Sequence, residues 1–209
     1  SVRVITSHIE FLCVSVNDPL TQFAKIRDII VSFSFPRMHC QLPLTALRRI
    51  ISQCLVSRIR PLLAFQPVTR MQAQQLDHMI ARHVHDYYHF PFHFNSTLLS
   101  LPTDLFGMGF ASISCLNDTL ALQGMLRDLN HHIPAFHTMA AITLSDWMCS
   151  LNHCMYPLDG PSLQQSFIRL KRALPMTWII AHETLRHSEL SVPTTDQSFL
   201  LGDIALRHL

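Results

Sequence analysis

The chain has 209 residues, of which 48% are apolar and only 14% carry a formal charge, and it contains 5 Gly and 12 Pro. This composition excludes intrinsic disorder, collagen-like sequence and Gly-rich β repeats. The formal net charge of +2 is too small to indicate a nucleic-acid-binding protein by itself. The cations are nevertheless almost all Arg, the residue that is better suited to bidentate phosphate contacts.

The first predicted elements are a short strand and a helix. Residues 8–16 alternate loosely and are rich in β-branched and aromatic types, which predicts a strand. Asn17, Asp18 and Pro19 then form a helix-start signal, with Pro at the first helical position. We expect that helix to extend to about Phe33.

The clearest amphipathic pattern extends from Leu44 to about Leu63. Pro61 is expected to kink this helix or end it early. Arg58 projects from the apolar side of the helical wheel. The opposite arc carries Arg48, Arg49 and Arg60. The apolar arc consists of Leu47, Ile50, Ile51, Cys54, Leu55 and Leu62.

A further helix is predicted from Thr69, as its cap, to Tyr88, and the segment that follows it is irregular. That segment includes one possible strand at 97–100, and Gly107 and Gly109 mark tight backbone. The expected core stripe of the helix is Leu76, Met79, Ile80, Val84 and Tyr87.

Four more helices complete the prediction. Asn117 is expected to cap a helix that extends to about Asn130, and Pro134 opens the next, which reaches about Asn152. A Pro- and Gly-containing turn at 157–161 precedes helices at 162–173 and 175–190. The class is therefore mainly α, an irregular bundle of about six to seven helices with a short N-terminal strand.

Two groups of side chains have spacings that could suit a metal. His85 and His89 are one helical turn apart, and Cys149, His153 and Cys154 form a second compact group. A solvated His-rich face and buried structural thiols explain the same residues, so no metal site is predicted. No phosphate loop, dinucleotide fingerprint or nucleophile elbow is present, and no cofactor is expected.

The start of the chain has no basic segment followed by an apolar run, and no apolar stretch reaches 18 residues. We therefore expect an intracellular protein, nuclear or cytoplasmic, with reduced thiols and no membrane span.

The order of segments resembles the region that follows the catalytic palm in reverse transcriptases of LINE-type (non-LTR) retrotransposons. Phe11-Leu12-Cys13 resembles the family's apolar-Leu-Gly signature, with Cys in place of Gly. Leu101-Pro102-Thr103-Asp104-Leu105-Phe106-Gly107-Met108-Gly109-Phe110 resembles its L-P-T-x-x-G-G-L-G-aromatic stretch, with Phe106 in place of the first Gly. The helix 44–63 is similar to the thumb helix, and 126–132 and 143–147 resemble C-terminal portions of fungal frames.

This resemblance implies a thumb-like helical region over 1–156 and a C-terminal helical extension over 157–209. The chain has no adjacent Asp pair, so the polymerase carboxylates are absent and we expect no enzyme activity. In the family the thumb holds the template–primer duplex by its backbone. The matching residues here are the cations of the two central helices, Arg48, Arg49, Arg60, Arg70 and Arg82. The alternative is that these arginines are simply solvated or pair with Asp77 and Asp86.

An alternative function needs no nucleic acid. Nine Met residues and a low charge are typical of a helical module that binds a protein partner or associates with itself.

Overall fold

In the computed structural model, the described residues are 9–11, 14–16, 19–36, 39–91, 95, 97–150 and 174–188. The chain divides into two compact units, Ser1–Asn117 and Asp118–Leu209. The predicted domain boundary between 156 and 157 lies outside the described residues. The fold is mainly α, as predicted. Within the described part, the helices number seven when the continuous segment from Leu44 to Phe65 is taken as one.

The predicted strand region contains two short strands, β1 (Ile9–Phe11) and β2 (Val14–Val16). They pair antiparallel, with Ile9 opposite Val16. Helix α1 (Pro19–Val31) starts at the predicted proline.

Helix α1 is attached to the helix that ends at Phe65 by both apolar and polar contacts. Ile26 and Ile30 are fully buried. Gln22 is also fully buried, and its Nε2 donates to the carbonyl of Leu62 at 3.1 Å. A buried amide without a partner would be costly, so this bond fixes the position at which the two helices meet.

The segment from Leu44 to Phe65 is one continuous helix in three parts: α2 (Leu44–Ile50), a π-helical turn (Ile51–Val56) and α3 (Ser57–Phe65). The expectation that Pro61 ends the helix early is wrong, since the helix continues for four more residues. Core packing stabilises the helix on both sides of Pro61, because Ile59, Leu62 and Leu63 are all buried.

The π-helical turn changes which side chains face the core. Each residue of a π turn rotates the chain by less than the roughly 100° of an α-helix. Val56, Ile59 and Leu63 therefore join the buried face, whereas Cys54, which was predicted on that face, is exposed. The residues predicted on the apolar arc and found buried are Leu47, Ile51, Leu55 and Leu62.

Helix α4 (Arg70–Tyr88) begins at the predicted cap. The Thr69 Oγ1 accepts from the backbone N–H of Gln72 at 3.4 Å, and the Gln72 Oε1 accepts from the N–H of Thr69 at 3.0 Å. This reciprocal pair is a capping box, which satisfies two N–H groups that the helix itself leaves free. The buried part of the predicted stripe is Leu76, Ile80 and Val84, while Met79 and Tyr87 are half-buried.

The predicted strand at 97–100 is wrong: these residues form a single helical turn, α5 (Thr97–Ser100). The Asn95 Oδ1 accepts from the N–H of Thr97 at 3.0 Å and starts the turn. The chain then folds back, so that the N–H groups of Met108 and Phe110 donate to the carbonyls of Leu98 and Leu99 at 2.9 and 2.8 Å. These hydrogen bonds use the carbonyls that a strand would offer to a neighbour.

Helix α6 (Ile113–Leu129) begins four residues before the predicted cap, Asn117. Its first turn is capped by Asp77 of α4, which accepts from the N–H groups of Ile113 and Ser114 at 2.5 and 3.0 Å. Asn117 is fully buried inside the helix, and its side chain bonds both the N–H and the C=O of Val68 at 3.0 Å. The cap prediction failed because a distant acidic residue supplies the acceptor.

The second unit is built from the larger part of α6, α7 (Pro134–Ser150) and α8 (Met176–His187). Both Trp residues lie in its core, with the rings of Trp147 and Trp178 6.5 Å apart. The Trp178 Nε1 donates to the Asp128 Oδ2 at 3.1 Å. Helix α7 opens at Pro134 as predicted, and α8 begins directly after Pro175, one residue later than predicted. The helix predicted at 162–173 lies outside the described residues. Among the helices described, none combines the length and apolar character that a membrane crossing requires.

Candidate nucleic-acid interface

The three arginines predicted to share one face of the 44–65 helix have two different environments. Arg49 and Arg60 are exposed, and Arg48 is half-buried. The Nη1 of Arg48 donates to the carbonyl of Met108 at 3.3 Å. Arg49 and Arg60 are therefore the members of this group with solvent-facing guanidinium groups.

Gly109 explains why Arg48 lies along the 95–110 loop. Its φ of +65° is in the left-handed region that favours glycine. A Cβ atom at this position would lie 2.8 Å from the Nη1 of Arg48 and 3.0 Å from the Cγ2 of Thr103. The missing side chain leaves the space that the guanidinium uses, so Arg48 fastens the loop to α2.

The two arginines of α4 do not form one stripe. Arg70 is half-buried and Arg82 is exposed. They are twelve residues apart, which places them about 18 Å apart along the axis and about 120° apart around it. Arg58, predicted to project from the apolar side of its helix, is exposed. Of the five predicted contact residues, Arg49, Arg60 and Arg82 have exposed side chains.

None of these five arginines pairs with a carboxylate among the described residues. Two ion pairs in the described part of the chain join sequence neighbours, Arg27 with Asp28 at 3.3 Å and Arg127 with Asp128 at 3.8 Å. Asp77, considered as a partner for an arginine, accepts hydrogen bonds from Ser112, Ile113 and Ser114 instead. Uncompensated, exposed guanidinium groups are the type that can reach a phosphate.

The candidate metal ligands are not gathered into a site in the described part of the chain. No group of three or more His, Cys, Asp or Glu side chains lies close enough there to hold a metal ion. His89 ends α4 with a left-handed φ of 54°, and the ring of His85 lies 5.6 Å from that of Phe90. The side chains of Cys149, His153 and Cys154 lie outside the described residues.

Sequence reasoning missed a groove at the C-terminal end of α4. It has a volume of about 620 Å³ and is walled by the rings of Phe33, Phe35 and Tyr87. The imidazoles of His39, His83 and His89 also line it. The available signal was the density of aromatic and His residues in 33–39 and 83–90, two segments that the sequence separates by more than forty residues.

No family model, no curated protein and no solved structure matches this chain.

Proposed function

We propose that this chain is a non-catalytic fragment or relic of a LINE-like reverse transcriptase that binds nucleic-acid backbone weakly and without sequence preference. The observation that supports the proposal is the exposure of Arg49 and Arg60, neither of which has a carboxylate partner among the described residues. Two unpaired guanidinium groups on the solvent side of one helix can each neutralise a phosphate. Arg82 of α4 adds a third exposed cation.

Binding through phosphates predicts a defined dependence on salt. Each phosphate contact contributes about 0.9 to the slope of log affinity against log salt concentration, because binding releases a condensed counterion. Two contacts, one from each of Arg49 and Arg60, predict a slope of magnitude about 1.8 on a blunt DNA duplex. The measurement is fluorescence anisotropy of a labelled duplex, titrated with the full chain at several NaCl concentrations.

Arg60→Ala and Arg58→Ala form a matched pair for this test. Both residues are exposed, both lie in α3, and each substitution removes one charge. We expect Arg60→Ala to lower the slope by about 0.9 and Arg58→Ala to leave it unchanged. If the two substitutions lower the slope equally, the duplex is attracted by net charge and not by a defined face of the helix. If the affinity of the unmodified protein does not change with salt, the proposal is overturned.

A second candidate function is association with a protein partner or with another copy of the chain. Helix α7 favours it, because Phe136, Met139 and Ile142 are 53%, 63% and 57% exposed at three-residue spacing. Exposed apolar patches of this kind mark interaction surfaces. Sedimentation velocity over a range of concentrations separates the two candidate functions. A dimer whose sedimentation does not change when duplex is added supports association and contradicts the nucleic-acid proposal.

A further inference from the structure

The groove at the end of α4 is a pre-formed space with aromatic walls. Phe33 and Phe35 lie on one side, with ring centroids 5.2 Å apart and planes nearly perpendicular. The ring of Tyr87 lies 4.9 Å from that of Phe35, and the ring of His83 lies 6.4 Å from that of Phe33. The volume of about 620 Å³ is within the usual range for a site that takes a small organic group.

Two tyrosines hold the groove in shape. The backbone N–H of Leu42 donates to the Tyr87 hydroxyl at 2.8 Å, and the Tyr88 hydroxyl donates to the carbonyl of Leu42 at 2.7 Å. The Gln41 Nε2 also reaches the carbonyl of Tyr87 at 3.5 Å. These bonds fix the segment 39–43 against α4, so a ligand would not have to order that segment on binding.

The chemistry of the lining suits a flat, uncharged ring with polar edges. The aromatic faces offer stacking, and Ser34 and Gln41 offer a hydroxyl and an amide to hydrogen-bond a ring edge. Asp86 is the one carboxylate among the lining residues, and Cys40 is the one thiol. Proteins bind unpaired bases without strong sequence preference by stacking them on aromatic side chains beside cations that contact the backbone.

A cation for the neighbouring phosphate is present on the same helix face. Arg82 precedes Asp86 by four residues, a spacing that places the two on one side of α4. Arg82 is exposed, and it has no ion-pair partner in the described part of the chain. A ring in the groove would therefore have a guanidinium about one helical turn away.

We propose that this groove binds an unpaired nucleobase of a single strand, with Arg82 contacting an adjacent phosphate. The inference rests on the proposed function and deepens it. Arg49 and Arg60 contact duplex backbone, whereas the α4 groove takes a base beyond the end of the duplex.

The experiment compares a blunt DNA duplex with the same duplex carrying a five-thymidine 3′ overhang, titrated by the full chain. We expect the overhang to bind roughly 5- to 100-fold more tightly, since stacking of one base has that effect. Phe35→Leu keeps apolar bulk but removes the ring, and it should abolish the preference while leaving blunt-duplex affinity unchanged. Phe65→Ala is the matched control, because Phe65 is an exposed Phe outside the groove.

Equal affinity for the two duplexes overturns the groove proposal and leaves the duplex proposal intact. If blunt duplex does not bind, the proposed function fails, and single-stranded decathymidylate then tests the groove directly. If decathymidylate binds and Phe35→Leu abolishes that binding, the groove proposal is supported. If decathymidylate does not bind, the groove proposal is overturned. His83→Leu gives a second variant among the lining residues, in case circular dichroism shows that Phe35→Leu unfolds the protein.

Discussion

Two polar side chains, Asp77 and Asn117, join segments of the first unit that are far apart in sequence. Asp77 caps α6 from thirty-six residues away, and Asn117 bonds both backbone groups of Val68 across forty-nine residues. Sequence patterns indicate caps that lie next to the helix they start, such as Thr69, and the capping box at Thr69 is confirmed. A cap from another helix leaves no local signal, which is why the start of α6 was predicted five residues late.

Replacing Asp77 by Ala should lower the free energy of unfolding by about 1–2 kcal/mol. The carboxylate satisfies two N–H groups at the positive end of α6, and loss of a helix cap has a cost of that size. Urea denaturation followed by far-UV circular dichroism measures the change. Asp86→Ala is the control, since Asp86 is exposed on the same helix, and a loss of equal size there would contradict the capping argument.

Tyr88 makes stability sensitive to alkaline pH. Burial, and then the neighbouring Tyr87, raise the pKa of Tyr88 above its ordinary value of 10.0. A raised pKa means that the folded state favours the neutral phenol, so this contribution is complete below the unfolded pKa and is lost as pH rises through the folded one. Tyr88→Phe should cost about 1 kcal/mol at pH 7, through the lost bond to Leu42.

The same variant should also lose less stability than the unmodified protein between pH 9 and pH 11. Urea denaturation at several pH values compares the two proteins. Parallel pH profiles would show that ionisation of Tyr88 is not linked to folding.

At the scale of elements, the positions and types of most helices could be predicted, while the faces they present could be predicted only in part. The apolar period correctly predicted Leu47 and Ile51, which precede or open the π-helical turn, as core residues. Within the turn each residue rotates the chain by less than in an α-helix, so Cys54 was misplaced although Leu55 was not. No local residue pattern marks a π turn, and it is held by packing with elements elsewhere in the fold.

The residues of the candidate interface could also be predicted only in part. The exposure of Arg49 and Arg60 follows from their place on the helix, and the sequence predicted it. The tie of Arg48 to Met108 depends on a glycine that is sixty-one residues away and could not be predicted. The walls of the aromatic groove likewise come from two segments that are brought together by the packing of α1 against α4 and by the hydrogen bonds of Tyr87 and Tyr88 to Leu42.

Gly107 tests how tightly the 95–110 loop is packed. A Cβ atom there would overlap the backbone carbonyl of Leu101, which cannot move as a flexible side chain would. Gly107→Ala should therefore lower the free energy of unfolding by about 1–3 kcal/mol, the usual cost of forcing extra volume into a packed region. Asp104→Ala, at an exposed position in the same loop, should change it by less than about 0.5 kcal/mol. A neutral Gly107→Ala in urea denaturation would mean that the loop is free to rearrange.

At the scale of the whole molecule, the net charge depends on how many of the histidines are protonated. The formal net charge is only +2 with neutral His, while the chain has 14 His against 14 acidic residues. Each protonated imidazole adds one positive charge, so protonation of all 14 His would raise the formal net charge from +2 to +16. Under the proposed function, duplex binding should therefore depend on pH as well as on the fixed arginines.

Acidification should accordingly strengthen duplex binding and steepen its response to salt. Between pH 7.5 and pH 5.5 we expect the slope of log affinity against log salt concentration to grow by about 0.9 for each imidazolium that reaches a phosphate. Anisotropy titrations of a blunt duplex at both pH values measure the slope, with circular dichroism confirming that the fold persists at pH 5.5. The Arg49→Ala/Arg60→Ala double variant should show a smaller slope at each pH but the same increase between them, because the arginines do not titrate in this range. A slope that does not change with pH would show that the histidines lie outside the contact surface and that the fixed cations act without them.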